Sequence, residues 1–376
     1  MSTRKRNTTR SARSTPSGWR SSANEAKGST GRFRRGSRRH RENPVSENEA
    51  ITAAREHAAL FDMTGLRGLV EVTGEDRVRW LDGMISGDVN HLEESGDGAG
   101  CYATLLTNRG AIIADLHVAK RGECFVLESL ASEIPRIVEA LDRLLIADDV
   151  TLTDRSGESV TLGLEGRAAR EILASAAGDD VPAPEQWGAL RVGGADVEVG
   201  AFGWSGEPAY QLRVAETDRA AVEAALDAAA GGTLARGDEA ALEILRIEAG
   251  VPALGRELDE EVLPPEARLE RAIATDKGCY VGQEIVARLR ARGQVNHLLV
   301  GLDLDVAEAP VEGTELTGGE RKTGELTSVA ISPRAGTIAL GYVRREHAEP
   351  GTELTLDGGR ARVVALPFVP VGESTA

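Results

Sequence analysis

The sequence predicts an α+β protein in which two similar α+β units precede a small β-barrel. Two rounds of strand, helix, meander and helix occupy residues 45–158 and 159–294, which indicates a pair of related units. Residues 295–370 contain short strands punctuated by Gly and Pro, a pattern typical of a barrel. Residues 1–44 are rich in Arg, Ser, Thr and Gly and lack apolar periodicity, so we predict that they are disordered.

Apolar periodicity locates the elements of the two units. In the first unit it predicts helices over 50–61, 76–84 and 134–145 and strands over 68–74, 101–106, 111–120, 123–130 and 150–154. In the second unit it predicts helices over 168–176, 216–229 and 238–249 and strands over 160–165, 189–192, 197–202 and 210–214. A further helix over 285–293 leads into barrel strands over 298–304, 324–331, 338–343, 353–356 and 360–365.

Charge is distributed unevenly along the chain. Residues 1–44 contain 13 of the 44 basic residues and only 2 of the 60 acidic ones, which leaves residues 45–376 with a net charge of −27. High acidity with only five lysines is typical of a halophilic protein, since counter-ions in a salt-rich cytosol screen the self-repulsion. The alternative is an acidic protein of ordinary habitat. A negative folded region repels phosphate, so nucleic acid is not an expected partner.

The basic tail has three interpretations. It is an arm that binds nucleic acid through Arg32–Arg39, a tail without function, or an extension that the native protein lacks. The last interpretation rests on the abrupt change of composition at Val45, which an alternative start codon could encode. Mass spectrometry of the native N-terminus distinguishes them, because a peptide covering Arg32–Arg41 excludes the over-extended start.

Cysteine usage and hydropathy predict a cytoplasmic protein. Cys101, Cys124 and Cys279 are odd in number and widely spaced, which favours a reducing compartment. The chain has no CxxC pair or Cys/His cluster, so no protein-held metal site is expected. No apolar run approaches the roughly 18 residues of a membrane span, so no membrane association is expected either.

Residues 276–284 bring an unusual set of reactive groups together. The predicted helix after them places Cys279 just before, or in, its first turn, where the helix N-terminus and the nearby Lys277 favour a thiolate. Glu284 is available to hold Lys277 or to accept a proton. The alternative is a tight turn in which Cys279 packs as a small hydrophobic residue.

The same stretch, Lys277-Gly278-Cys279-Tyr280-Val281-Gly282-Gln283-Glu284, resembles the K-G-C-[FY]-x-G-Q-E motif of the YgfZ-type folate-binding proteins. These belong to the superfamily of the glycine-cleavage T-protein, an aminomethyltransferase. The likeness extends over about 45–370: Ala59–Thr64 resembles the F-D-x-S stretch, Gly203–Glu207 resembles G-Y-T-G-E, and Leu245–Gly250 resembles L-R-L-E-A-G. The resemblance implies two ferredoxin-like units and a C-terminal barrel around a central tetrahydrofolate pocket.

The resemblance also implies a set of folate-binding residues. In the T-protein relatives the glutamate of G-Y-T-G-E and the arginine of L-R-L-E-A-G hold the folate, and Glu207 and Arg246 occupy those positions. A carboxylate can accept hydrogen bonds from the pterin N–H groups, and a guanidinium can pair with a folate oxygen. Trp204 replaces the tyrosine and can pack against the ring. Without the resemblance, Glu207 is a loop residue and Arg246 a helix-surface ion pair.

One departure bears on activity. T-proteins carry paired aspartates in the strand after the second hairpin, whereas this chain has Ala114 followed by Asp115. The substitution puts aminomethyl transfer in doubt, and the Cys279 motif is not a T-protein feature. Both observations favour the YgfZ-like branch, whose members are implicated in iron–sulfur cluster assembly or repair.

The resemblance therefore favours a tetrahydrofolate-binding accessory protein, with iron–sulfur client or assembly proteins as partners. Cys279 is then a reactive thiol at the pocket, Lys277 activates it, and Asp115 is a candidate catalytic carboxylate. The alternative is an aminomethyltransferase of the glycine-cleavage type. The basic cluster Arg288, Arg290 and Arg292 either meets a polyglutamyl folate tail or an acidic partner, or forms a solvated helix face.

Overall fold

Two β-sheets and a closed barrel make up the fold of the chain, in a computed structural model that describes residues 44–232, 234–293 and 295–372. The mixed α+β architecture with a C-terminal barrel confirms the predicted fold class. The predictions about the basic tail and its native start fall on residues 1–43 and lie outside the described part of the chain.

The helices and strands follow the predicted order closely. The α-helices are α1 (Pro44–Glu56), α2 (Arg77–Met84), α3 (Val89–Ser95), α4 (Ile134–Asp142), α5 (Ala169–Ala177), α6 (Arg219–Ala229), α7 (Glu239–Ala249) and α8 (Gln283–Arg292). The strands of the two sheets are β1 (Ala59–Asp62), β2 (Arg67–Thr73), β3 (Gly100–Leu106), β4 (Ile112–Arg121), β5 (Cys124–Leu130), β6 (Thr151–Asp154), β7 (Val160–Glu165), β8 (Trp187–Val192), β9 (Ala195–Gly200), β10 (Ala209–Val214) and β11 (Ala235–Gly237). The barrel strands are β12 (His297–Val306), β13 (Glu315–Gly318), β14 (Arg321–Ser332), β15 (Gly336–Arg344), β16 (Glu353–Leu356) and β17 (Gly359–Val364).

The first sheet is antiparallel, with the order β3-β4-β5-β2-β6. Alternate residues of its strands, such as Val70, Leu116 and Phe125, pack against α2, α3 and α4 in one apolar core. The sequence pattern did not predict α3, a seven-residue helix. Its N-terminus is capped by Asp88, whose carboxylate accepts a hydrogen bond from the backbone N–H of His91 at 2.9 Å.

The second sheet has the order β11-β1-β7-β10-β9-β8. The chain enters it before the first sheet forms, because β1 pairs antiparallel with β7 and parallel with β11. Residues 45–62, which the sequence pattern assigns to the first unit, therefore belong with the second. The apolar residues of β1 explain this position, since Ala59, Leu60 and Phe61 are all buried and suit an interior strand.

The barrel closes through pairing of β12 with both β15 and β17. Its interior holds leucine and valine side chains from all six strands. A second apolar cluster, which includes Ile247 and Leu340, packs α7 against the outside of the barrel. Helix α7 therefore lies between the barrel and the second sheet, close to the site described below.

The two sheets face each other across a layer that mixes apolar and charged side chains. Glu128 on β5 is fully buried and accepts hydrogen bonds from Arg67 of its own sheet and Arg213 of the other. Each guanidinium also lies over an indole ring, Arg67 over Trp204 at 4.6 Å and Arg213 over Trp187 at 4.8 Å. A buried charge that is paired in this way fixes the relative position of the two sheets.

Candidate functional site

Two cavities lie between the facing sheets. The larger, of about 370 Å³, has aromatic and imidazole side chains and three arginines among its lining residues: Tyr102, His117, Phe202, Tyr210, Arg170, Arg268 and Arg271. The smaller, of about 110 Å³, is lined by apolar residues, Trp204 among them, and by five charged ones: Arg67, Asp115, Glu239, Glu243 and Arg246. Pro252 lines both. The Tyr102 hydroxyl donates to Asp115 Oδ2 at 3.0 Å and thereby connects the two.

Strand β4 determines where Asp115 points. Successive side chains of a strand project to opposite faces. Ala114 is fully buried in the apolar core under the helices, whereas Asp115 is half-buried and lines the smaller cavity. The carboxylate that this chain retains is therefore the one that faces the space between the sheets. The position that lost its carboxylate is one that an alanine fills well.

Glu207 lines the larger cavity, but its side chain is fully buried. Its Oε1 pairs with Arg55 at 3.3 Å, and its Oε2 accepts the backbone N–H of Gly372 at 2.9 Å. Arg55 also pairs with Glu248 at 2.9 Å. The structure thus places Glu207 at the larger cavity, with a protein donor already paired to each of its two oxygens.

Arg246 lines the smaller cavity and makes a fork-to-fork pair with Glu243, at 2.8 and 2.7 Å. It also donates to Glu257 at 2.9 Å and to the Ser328 hydroxyl at 2.8 Å. Glu257 is fully buried, whereas about a third of the Glu243 side chain is exposed. The pKa of Glu243 is lowered because its hydrogen bond and charge interaction with Arg246 outweigh the opposing effect of burial. Arg246 therefore keeps Glu243 ionised at the cavity wall.

Trp204 forms part of the same wall. It packs against the apolar cluster that contains Met63, which follows β1, and Leu242, which lies in α7. Its backbone N–H and that of Ser205 donate to the fully buried carboxylate of Glu165, which anchors the loop after β9. The indole is therefore held as a fixed apolar surface of the smaller cavity.

Lys277 has a structural position that the sequence did not reveal. Its ammonium group is fully buried and donates to the backbone carbonyls of Asp82, Ile85 and Gly87 at 2.7, 3.0 and 2.5 Å. It also pairs with the Asp82 carboxylate at 3.1 Å. Burial lowers the pKa of Lys277, although Asp82 opposes the shift. Glu284, predicted as its partner, instead accepts from Arg288 at 2.6 Å.

Cys279 is exposed on the loop before α8. The helix begins at Gln283 with Gly282 as its N-cap, so Cys279 precedes the first turn instead of lying in it. Cys279 is not among the residues that line either of the two cavities between the sheets. The structure therefore does not bring Cys279 to Asp115, Glu207 or Arg246, and a role for its thiol stays a prediction.

Sequence reasoning missed several groups at the site. His117 lies two residues after Asp115 on the same face of β4, and its Nδ1 is 3.1 Å from Glu185 Oε2. Burial lowers the pKa of His117, while Glu185 opposes the shift. The alternation of β4 offered a signal, since it predicts Asp115 and His117 on one face. No sequence pattern marked Tyr102, Glu185 or Glu243.

The comparisons with known proteins cover nearly the whole chain. The family described as "GCVT N-terminal domain" matches residues 24–277, and the "Glycine cleavage T-protein C-terminal barrel domain" matches residues 298–370. The chain belongs to the glycine-cleavage T-protein family. The C-terminal match coincides with the barrel, and the N-terminal match includes both sheets.

Aminomethyltransferases of the family are similar to this chain over most of their length. An aminomethyltransferase from Saccharopolyspora erythraea is 32% identical over 335 residues, which is 86% of this chain and 89% of that protein. One from Rubrobacter xylanophilus is 33% identical and covers 86% and 85% of the two chains. The crystal structure of the aminomethyltransferase T from Bartonella henselae superposes with a TM-score of 0.76 at 24% identity, covering 87% of this chain and 90% of that one, which shows the shared T-protein fold.

Two further features of the described residues bear on the sequence predictions. None of the helices in residues 44–372 is long and apolar enough to cross a membrane. No group of three or more His, Cys, Asp or Glu side chains in that part of the chain has an arrangement that could hold a metal ion.

Proposed function

We propose that the protein binds a reduced folate between its two sheets and catalyses folate-dependent transfer of an aminomethyl group. The observation that carries this proposal is the orientation of β4, which directs the retained Asp115 into the cavity and Ala114 into the core. In the sequence, Ala114 argues against aminomethyl transfer because it replaces one of the two paired aspartates. In this geometry the lost carboxylate is the one that faced away from the site.

The lining groups fit a flat ring that carries N–H donors. Trp204, Leu242 and Leu254 supply apolar surface in the smaller cavity, and the Asp115 carboxylate, which accepts one hydrogen bond from Tyr102, supplies an acceptor. Small-molecule sites usually combine an apolar wall with a few placed polar groups, and the adjoining cavity of about 370 Å³ supplies the volume that such a ligand needs. These residues would hold the ring system of tetrahydrofolate. The relatives named aminomethyltransferase support the same reading.

In the reaction, the transferred carbon leaves the carrier's sulfur and its amino group and bonds to two folate nitrogens, whose two protons go to the sulfur and to the departing ammonia. Asp115 is the group placed to handle the proton and the positive charge that arise during this exchange. Tyr102 donates to one of its oxygens and leaves the other available. Burial raises the pKa of Tyr102 well above its usual value, so it stays protonated and acts as a donor. The role of Tyr102 is then to orient the carboxylate.

The test is ammonia release from an aminomethylated, lipoylated carrier protein, measured with and without tetrahydrofolate. We expect folate-dependent release, and we expect Asp115→Asn to reduce its rate by about 10²–10⁴-fold, the usual range for loss of a general acid–base group. Tetrahydrofolate affinity of the variant should fall far less than the rate, because the amide oxygen of the replacement side chain still accepts a hydrogen bond. Folate-independent release, or an equal rate in the variant, contradicts the proposal.

A second candidate function rests on Cys279. The thiol is exposed within the K-G-C-[FY]-x-G-Q-E motif of the YgfZ-type branch, which supports an accessory role in iron–sulfur cluster assembly or repair. In this role the folate site is retained and the thiol meets a client or assembly protein. Replacing Cys279 with Ser in the host tests it, because unchanged activity of radical-type iron–sulfur enzymes excludes a function of the thiol.

A further inference from the structure

A third cavity lies between the barrel and the loop of residues 259–266. Its volume is about 380 Å³, and no residue that lines it also lines either cavity between the sheets. Backbone hydrogen bonds of 2.9 Å hold the loop in place on two sides. The Val262 carbonyl accepts from the N–H of Ile112, and the Glu266 carbonyl accepts from the N–H of Leu299. The cavity therefore has the size and the fixed walls of a small-molecule site.

The barrel wall of this cavity is formed by the outer face of the barrel strands. Tyr342 and Arg344 are two residues apart on β15 and share that face, whereas Val343 between them packs inside the barrel. His297 lies opposite Arg344 on β12. The Tyr342 hydroxyl donates to the Glu257 carbonyl at 2.8 Å, so its ring is left as the apolar surface of the wall.

Thr323 is a buried polar residue of the same wall. Lys322 lies opposite Thr317 and Gly324 lies opposite Leu316, so Thr323 is an extra residue of β14 and forms a β-bulge. Bulges redirect side chains and are frequent beside functional sites. Thr323 is only 3% exposed, and its hydroxyl has no hydrogen-bond partner among the described residues. Such a hydroxyl lowers stability until a ligand satisfies it.

Two opposite charges line this cavity without pairing with each other. Arg344 belongs to the barrel wall and Glu261 to the loop, and both are exposed. Neither side chain has an ion-pair or hydrogen-bond partner within the described part of the chain. The ammonium group of Lys322, in contrast, is already paired with Glu315 at 3.1 Å and with Glu325 at 3.0 Å. One cation and one carboxylate are therefore available to a ligand, on the two walls of the cavity.

We propose that this cavity binds an apolar α-amino acid in its zwitterionic form. Arg344 pairs with the ligand carboxylate, Glu261 pairs with its ammonium group, and the Tyr342 ring contacts its side chain. This site is separate from the proposed folate function and does not rest on it.

The register of the barrel places the Thr323 hydroxyl at the carboxylate end of the site. Gly324 lies opposite Val343, so the next residues outward on the two strands are Thr323 and Arg344. A ligand carboxylate can accept from both at once. A ligand that has only one of the two charges leaves Arg344 or Glu261 without a partner, and the site therefore discriminates against it.

The experiment measures the binding of L-leucine to the whole chain by calorimetry, in parallel with two analogues that each lack one charge. N-acetyl-L-leucine lacks the ammonium group, and L-leucinamide lacks the carboxylate. We expect L-leucine to bind and each analogue to bind about tenfold more weakly, the usual effect of losing one charge-assisted hydrogen bond.

Two variants assign each charge to its partner. Arg344→Gln should bind L-leucine no more tightly than L-leucinamide, and Glu261→Gln should bind L-leucine no more tightly than N-acetyl-L-leucine. Arg321→Gln and Glu320→Gln are the matched controls, because both residues are exposed on the barrel and do not line the cavity. Both controls should retain the affinity for L-leucine and the preference over its analogues.

Thr323→Val is a third variant, which keeps the shape of the side chain and removes its hydroxyl. It should unfold at no lower urea concentration than the unmodified chain and should bind L-leucine about tenfold more weakly. The proposal is overturned if L-leucine does not bind at millimolar concentration, or if Arg344→Gln and Glu261→Gln bind it as tightly as the unmodified chain. Tighter binding of N-acetyl-L-leucine than of L-leucine would show a site for simple anions and also overturn it.

Discussion

Moving the carboxylate of β4 by one residue tests the proposed role of Asp115 most directly. The double variant Ala114→Asp/Asp115→Ala preserves the composition and the net charge but turns the carboxylate from the cavity to the core. We expect its folate-dependent ammonia release to fall by about 10²–10⁴-fold, as for any loss of a general acid–base group. The single variant Asp115→Ala should show the same loss, so the added aspartate should restore nothing.

Stability distinguishes the two variants and gives the magnitude. Asp115 is half-buried and accepts one hydrogen bond, from Tyr102, so Asp115→Ala should cost about 1 kcal/mol. Ala114 is fully buried among apolar side chains, so an aspartate there is an unpaired buried charge. Such a charge costs about 3–5 kcal/mol. The double variant should therefore be less stable than Asp115→Ala by roughly that amount.

The assay pairs ammonia release with urea denaturation at pH 7.5. If the double variant keeps its activity while Asp115→Ala loses it, the carboxylate at 114 reaches the substrate and the assignment of faces on β4 is wrong. If the two variants are equally stable, the side chain at position 114 is not enclosed in the apolar core. If Asp115→Ala keeps its activity and only the double variant loses it, Asp115 is not the working carboxylate.

Three further predictions address the surrounding structure. Glu128→Gln should lower the free energy of unfolding by about 3–5 kcal/mol, because it removes the buried carboxylate that pairs with both Arg67 and Arg213 and leaves Arg213 only its longer contact with Glu198; a loss below 1 kcal/mol in urea denaturation contradicts this. Because burial lowers the pKa of His117, the unfolded chain binds more protons below about pH 6.5, so stability should fall as the pH drops below that value, and His117→Phe should flatten this part of a urea-midpoint profile. Burial raises the pKa of Cys101 to about 12, so iodoacetamide should label the exposed Cys279 well before it, as followed by mass spectrometry; prior labelling of Cys101 would reverse the accessibility argument.

The order of elements was predictable because it is written in local patterns. The meander of the first sheet and five of the six barrel strands follow period-two alternation and turn residues, and their predicted bounds differ by only a few residues from those observed. The short strands β11 and β13 were not predicted. Strand β1 was missed for a physical reason. Its pairing partners β7 and β11 lie about 100 and 175 residues further along the chain, and no local pattern encodes such pairing.

Four of the six predicted site residues, Trp204, Glu207, Arg246 and Asp115, line the cavities between the sheets, whereas Lys277 and Cys279 line neither. That the four bind folate stays a prediction, and their hydrogen bonding did not follow from the sequence. The partners that occupy Glu207 and Arg246 come from distant segments, such as Arg55, which is separated from Glu207 by 152 residues. Sequence motifs indicate which polar residues lie near one another. The hydrogen-bond partner of each one depends on how distant segments pack.

Three residues of the K-G-C-[FY]-x-G-Q-E motif, Lys277, Gly282 and Gln283, gain a structural explanation. Lys277 joins the loop before α8 to the carbonyl groups between α2 and α3. Gly282 has φ of 83° and packs so closely on the β3–β4 hairpin that a Cβ would lie 2.7 Å from the Thr107 carbonyl oxygen. Because that hairpin leads into β4, the motif supports the strand that carries Asp115. The Gln283 side chain closes the loop by donating to the Gly278 carbonyl at 3.3 Å.

The Cys279 side chain of the motif is exposed, and packing within the described residues gives no structural reason for a cysteine there. Lys277→Gln should therefore lower stability by about 3–5 kcal/mol, since it leaves Asp82 and three carbonyl groups without their cation. Cys279→Ser should change neither stability nor tetrahydrofolate affinity by a measurable amount. This contrast makes Cys279→Ser a clean probe of the thiol, because any loss of iron–sulfur enzyme activity in the host then reports chemistry or docking and not misfolding. A drop in the melting temperature of several degrees in Cys279→Ser would show instead that the thiol belongs to the scaffold.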